Sequence, residues 1–239
     1  MVYALVVAGG RGRRFSGRTP KQYAELAGVP MVIRTLKVFD DCGAIDAMVL
    51  VVPADDVVHV RDGLLPEAGL TKKILLCNGG PRRQDSVFNG LSCIAEDDSV
   101  VVIHDAVRPL VTCECITACV EAARMEGAGI AAVPAWDTLK RVTDSGIIET
   151  TLPREQVWLA QTPQAFRTGL IRAAHQSARM HHFHATDDAA LVEHTGGSVR
   201  IVAGSLRNVK VTTVEDLALA EALLAERPSS IGSAQPTAA

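Results

Sequence analysis

Three short segments of this 239-residue chain bring together residue types suited to holding phosphates. In the first, the apolar run Val2 to Ala8 leads straight into Gly9-Gly10-Arg11-Gly12-Arg13-Arg14-Phe15, with Pro20-Lys21-Gln22 behind it. Glycines at a strand's end let backbone amides approach a ligand closely, and such amides form a nest for anionic oxygens. Arg11, Arg13, Arg14, Arg18 and Lys21 place five cations in an eleven-residue window of a chain whose net charge is −3, which calls for a local anionic partner. In the second segment, Gly79-Gly80 precedes Arg82-Arg83-Gln84-Asp85-Ser86. Backbone groups of Gly80 and the hydroxyl of Ser86 could read a pyrimidine edge there, with an ordinary first-turn or capping serine as the alternative. The third is His104-Asp105-Ala106-Val107-Arg108-Pro109. A carboxylate beside phosphates is costly unless a cation or a sugar hydroxyl lies between, so Asp105 suits a Mg²⁺ contact or an acceptor hydroxyl. Arg108 is expected to orient Asp105 through a bidentate pair, and His104 to be a packed strand-end histidine rather than a general base.

The segments do not match two common glycine motifs. A dinucleotide fingerprint wants a third glycine where Phe15 stands, and the chain has no GxxxxGK[ST] loop. What must position them is a set of strands. β-branched runs at Val2 to Ala8, Ala47 to Val52, Lys73 to Cys77, Val100 to His104 and Gly129 to Val133 alternate with amphipathic stretches, the pattern of a parallel sheet covered on both faces. The predicted fold is therefore α/β, a doubly wound and mostly parallel sheet. Ligands of such sheets collect outside the carboxyl ends of the strands, where all three segments fall.

From Asp137 to Arg154 the rhythm changes to two short runs around Asp144-Ser145-Gly146, which predicts a hairpin. An isolated hairpin is marginal in water, so an arm packed on a second subunit is the natural reading, and an arm folded back on its own domain the alternative. Beyond it the pattern predicts a short run at Val157 to Ala160, helices near Arg167 to Met180 and Asp187 to His194, and strands at Val199 to Val202 and Asn208 to Val211. Thr213 and Asp216 are spaced as a capping box for a last helix. Residues 1–227 read as one domain with its arm at about 137–156, and 228–239, rich in Ser, Ala, Pro and Gly, as a disordered tail.

With 48% hydrophobic residues but no charge-free run near 18 residues, the composition argues against a membrane span. The acidic balance offers no general attraction to nucleic acid. The opening run precedes its arginines, the reverse of a secretory signal, and a cytoplasmic protein is expected. Six cysteines read as reduced thiols, and the Cys113, Cys115, Cys119 group lacks a second ligand pair at zinc-site spacing. His181, His182 and His184 read as a solvated loop.

The ordered set Ala8-Gly9-Gly10-Arg11-Gly12-Arg13-Arg14, Pro20-Lys21-Gln22-Tyr23, Gly79-Gly80 with Asp85-Ser86-Val87, His104 to Pro109, Asp137-Thr138-Leu139-Lys140, Gln161 to Phe166, Thr186-Asp187-Asp188-Ala189 and Asn208 to Thr212 resembles that of the 2-C-methyl-D-erythritol 4-phosphate cytidylyltransferases over about residues 2 to 226. The resemblance implies a Rossmann-like nucleotidyltransferase fold, with CTP and a sugar-alcohol phosphate as substrates. By the same resemblance, Arg14 and Lys21 would stabilise the triphosphate and the transition state, and Ala8, Gly9, Gly10, Gly80 and Ser86 would hold the nucleotide. Asp105 would match the acidic residue after the fourth strand, while Thr138, Arg154, Thr162 and Lys210 would bind the acceptor. Members of the family are homodimers that cross arms and use Mg²⁺, which would carry Arg154 to the other subunit's site. Two departures, Ala-Gly-Gly in place of Ala-Ala-Gly and Pro81 in place of an acidic residue, touch base recognition. A ribitol 5-phosphate cytidylyltransferase and a non-catalytic nucleotide-binding module stay open as alternatives.

Overall fold

Apolar runs buried on both sides become the centre of one sheet. The computed structural model describes residues 1–10 and 19–226. Its first half contains β1 (Val2–Val7), β2 (Glu25–Leu26), β3 (Val29–Pro30), α1 (Met31–Asp41), β4 (Ala47–Val52), β5 (Ile74–Asn78), α2 (Arg83–Leu91) and β6 (Val100–Asp105). There follow α3 (Cys113–Glu126), β7 (Ala128–Pro134), β8 (Leu139–Val142), β9 (Ile148–Leu152) and β10 (Trp158–Arg167). The chain continues through α4 (Thr168–Met180), α5 (Ala189–His194), β11 (Arg200–Ala203) and α6 (Val214–Ala225).

Seven strands form the main sheet in the order β11-β7-β10-β6-β1-β4-β5. β10 runs antiparallel to both its neighbours, and the other pairings are parallel. The period-2 alternation of β1 divides its side chains between the two faces. Val2, Ala4 and Val6 pack with Leu36 and Phe39 of α1 and Ile116 of α3, whereas Tyr3 and Leu5 pack with Val87 of α2, Ile171 of α4 and Leu191 of α5. Helices on both faces explain why β4 and β6 are buried at every position rather than alternating. Each fully buried Leu, Ile or Phe contributes about 1.5–3 kcal/mol by leaving water, and Leu5, Leu36, Phe39 and Ile103 are all of this kind. The expected α/β doubly wound sheet is what forms.

The hairpin over β8 and β9 also forms, pairing Leu139 with Leu152 and Lys140 with Thr151. Its turn is closed by the Thr143 amide donating to the Ile147 carbonyl at 2.9 Å, with Gly146 at φ +81. The capping box at Thr213 and Asp216 is present in both directions.

Two expectations need correction. The run at Val157 to Ala160 is only the beginning of β10, which continues to Arg167 through a register shift between Ala160 and Gln164 and a cis Thr162-Pro163 bond. Proline removes a ladder donor, so a sequence pattern breaks where this strand does not. Conversely, Asn208 to Val211 is not a strand. Its backbone is held by the 107–108 segment instead, with the Val211 amide donating to the Val107 carbonyl at 2.9 Å and Arg108 Nη1 donating to the Asn208 carbonyl at 2.6 Å.

Candidate active site

β1, β4, β5 and β6 end on one rim, at the point where the chain, having added β4 and β5 on one side of β1, returns to add β6 on the other. Open α/β sheets bind ligands at such a switch point. A cleft of about 740 Å³ opens there, and its walls include Ala8, Gly9, Gly10, Lys21, Gly80, Ser86, Asp105 and Lys210.

The two glycine loops meet across Ser86. A Cβ on Gly9 would stand 3.0 Å from Ser86 Oγ, and one on Gly80 only 2.5 Å from the Cβ of Asp85. At Gly80 even a methyl group would collide, so the residue type is dictated by the close start of α2. Ser86 Oγ accepts from the Gly80 amide at 3.0 Å and donates to the Arg82 carbonyl at 3.0 Å. The hydroxyl thus fixes the loop's shape at the cleft wall from the first turn of α2, whose N-cap is Arg82 and not Ser86. Lys21 enters from a single helical turn, Lys21–Tyr23, steadied by the Tyr23 hydroxyl donating to Asp56 at 2.9 Å.

On the opposite wall, Asp105 Oδ2 lies 2.6 Å from Lys210 Nζ, and its Oδ1 accepts from Arg83 Nε at 3.0 Å. Burial alone would raise this carboxyl's pKa, but Arg83 and Lys210 together hold it well below the usual carboxylate range. Asp105 is ionised at neutral pH. The expectation that Arg108 would be its partner is corrected: Arg108 donates to the Asn208 carbonyl, and burial lowers its own pKa. Arg108 braces the Lys210 segment from below, while the ion pair falls to Arg83, whose position in the first turn of α2 points it across the cleft floor. His104 is fully buried, its Nε2 within 3.1 Å of the Arg108 carbonyl, in keeping with a packed histidine.

Thr162 is buried, and its Oγ1 accepts from the Asp105 amide at 3.1 Å, so it reaches the cleft only through Asp105. Thr138 and Arg154 stand exposed at the base of the arm and do not line the cleft of their own chain. Arg14 lies outside the described residues. Among the described residues no group of three or more His, Cys, Asp or Glu gathers as a metal cage.

Arg83 and its second partner, Asp188, are the residues that sequence reasoning missed. Both stand in quoted segments, yet nothing in their spacing links residues 83, 105 and 188. A helical phase argument could have separated Arg82, which precedes the helix and pairs with Asp85, from the inward Arg83.

A doubly wound sheet whose switch-point cleft is walled by two glycine loops and facing lysines defines the class of α/β nucleotidyltransferases. Residues 2–226 match the family model of 2-C-methyl-D-erythritol 4-phosphate cytidylyltransferase. The chain is 47% identical to the protein of that name from Syntrophus aciditrophicus, covering 96% of this chain and 98% of the relative, and 46% identical to that from Geobacter metallireducens, covering 95% and 98%. The crystal structure of 4-diphosphocytidyl-2C-methyl-D-erythritol synthase from Anaerococcus prevotii superposes with a TM-score of 0.82 at 31% identity, over 93% of this chain and 97% of that one. That of the Francisella tularensis cytidylyltransferase gives 0.79 at 33%, over 93% and 99%. The chain belongs to the 2-C-methyl-D-erythritol 4-phosphate cytidylyltransferase family.

Proposed function

We propose that this chain transfers the cytidylyl group of CTP to 2-C-methyl-D-erythritol 4-phosphate, giving 4-diphosphocytidyl-2-C-methyl-D-erythritol and pyrophosphate for isoprenoid precursor synthesis. The observation that carries the reading is the shared cleft: Lys21, Asp105 and Lys210, from three separate segments, face one space beside the glycine loops.

The reaction is in-line attack of the acceptor's phosphate oxygen on the α-phosphorus. A phosphate monoester has a second pKa near 6, so the nucleophile is already largely dianionic at neutral pH and needs no general base. The difficulty is repulsion between two polyanions. Catalysis is positioning and charge neutralisation, with Lys21 and Arg14 on the triphosphate side and Lys210 and Arg154 on the acceptor. Gly80 and Ser86, with Ala8, Gly9 and Gly10, shape the nucleotide wall. Thr138 and Asp105 complete the acceptor side, where Thr162 and Arg108 hold the backbone that carries Asp105 and Lys210.

Mg²⁺ fits this arrangement as an ion carried by the triphosphate, because such ions keep few protein ligands. Asp105, ionised and with lone pairs beyond its two ion pairs, would hold it, and the ion would neutralise charge on the leaving phosphates. A homodimer completes the site in this reading. The arm leaves Ile147 and Ile148 exposed, with Trp136 and Trp158 at its base, apolar surface that a second copy would cover. Crossing arms would deliver Arg154 to the partner's cleft. A cytoplasmic setting is supported by six free cysteines, which suit a reducing compartment. No helix among the described residues is long and apolar enough to cross a membrane.

Incubating the protein with CTP and either 2-C-methyl-D-erythritol 4-phosphate or ribitol 5-phosphate, and following pyrophosphate release, tests the reading. Turnover with the first acceptor is expected. Preference for ribitol 5-phosphate, or CTP binding with no turnover, overturns it.

A further inference from the structure

Lys210 does not end a salt bridge; it ends a chain. His175 Nε2 lies 3.2 Å from Asp188 Oδ1, Asp188 Oδ2 is 2.7 Å from Arg83 Nη1, Arg83 Nε is 3.0 Å from Asp105 Oδ1, and Asp105 Oδ2 is 2.6 Å from Lys210 Nζ. The line runs from a buried end to an open one, with Asp105 only 9% exposed between its two cations. His175 and Asp188 are fully buried, Arg83 is 27% exposed at the side chain and Lys210 39%. Asp188 is held further by its amide, which donates to Gln164 Oε1 at 3.1 Å. The buried end is fixed, and the open end is the lysine facing the cleft.

Lys210 must leave or share Asp105 to meet an incoming phosphate. If it were the sole cation on that carboxylate, its departure would strand a buried negative charge, which is strongly unfavourable. Arg83 removes that obstacle by keeping one oxygen of Asp105 paired. An arginine on the floor of a triphosphate cleft is itself liable to be drawn onto the phosphates, and its second bond, to Asp188, opposes this. We propose that Arg83 is a positioning residue for the cytidylyl transfer: anchored on Asp188, it keeps Asp105 neutralised while Lys210 turns to the acceptor's phosphate. The inference rests on the reading of Lys210 as an acceptor ligand.

The test is steady-state kinetics of Arg83→Gln, Arg83→Lys and Asp188→Asn, each alone and with Asp105→Asn, beside thermal melts. Arg83→Gln should raise the KM for the polyol phosphate roughly tenfold, a size ordinary for coupled neighbours. The KM for CTP should stay within about twofold, the scale of uncoupled sites. Arg83→Lys should recover part of the loss, since it restores the cation but cannot bridge two carboxylates. In the Asp105→Asn background, where there is no charge to balance, Arg83→Gln should add little. Equal changes in both KM values, or an effect undiminished in that background, overturn the inference. Should Arg83→Gln not fold, Asp188→Asn is read by the same criteria. If the wild-type chain turns over neither acceptor, the proposed reaction is what fails. The variants are then compared by calorimetric titration with inorganic phosphate, where weaker binding by Arg83→Gln supports the positioning role and equal affinity refutes it.

Discussion

Thr162 accepts a hydrogen bond from the amide of Asp105 at 3.1 Å, across the join between the antiparallel β10 and the parallel β6. The last residue of β6 would otherwise present an unpaired buried amide, because the β10–β6 ladder ends at the Gln164–Ile103 pair. A side chain thus does what the ladder cannot, and it fixes the backbone of the carboxylate to which Lys210 is tied.

Thr162→Val should therefore lower stability by about 1–3 kcal/mol, the cost of an unsatisfied buried donor. It should also raise the acceptor KM, whereas Thr162→Ser keeps the oxygen and stays near wild type. Denaturant unfolding of the two variants checks this; equal stability would show that the amide finds another partner.

Lys21→Ala should lower kcat by ~10²-fold or more while leaving the fold intact, since lost electrostatic stabilisation in a site of this kind is worth a few kcal/mol. The Tyr23 hydroxyl's bond to Asp56, which helps to hold this turn, is untouched by the substitution. A near-normal kcat would remove Lys21 from the mechanism.

The strands that build the rim were legible because burial on both faces writes continuous apolar runs, and β4 occupies the expected Ala47 to Val52. Glycine loops at strand ends were legible because close approach excludes side chains, as Gly80 illustrates. Arg83 was hidden for the opposite reason. Two adjacent arginines look alike in a sequence, and only the phase of α2, together with the return of the chain at residue 188, separates the exposed one from the inward one. Asn208 to Val211 carries strand-like alternation but finds its hydrogen bonds in a loop, a choice made by tertiary contacts that no local pattern records.

His104 gives a pH dependence with a definite sign. Burial lowers its pKa to about 4, the Arg108 carbonyl and Asp105 opposing this only in part. The unfolded chain takes up the proton below pH ~6.5, while the folded chain resists until about 4. The folded pKa is the lower one, so this contribution is full above the unfolded value and is lost as pH falls from about 6.5 towards 4. It amounts to roughly 3 kcal/mol in all. Unfolding free energies of the wild type and His104→Gln, measured across pH 4 to 8, should converge on the acid side of that window. Parallel curves would mean that the buried ring is protonated as readily folded as unfolded.

Arg154 tests the assembly. It sits on the link between β9 and β10, its carbonyl accepting from the Val157 amide at 3.0 Å, exposed and away from the cleft of its own chain. If arms cross in a homodimer, an Arg154→Ala chain and a Lys21→Ala chain carry their defects into different sites. A mixed dimer then has one cleft with both lesions and one with neither. Each homodimeric variant should be nearly inactive at low acceptor concentration, and mixing after reversible dissociation should restore up to about half the wild-type activity per mixed dimer, as the two-fold symmetry of such an exchange requires. Arg154 acting within its own chain would leave one lesion in each cleft, and mixing would restore nothing.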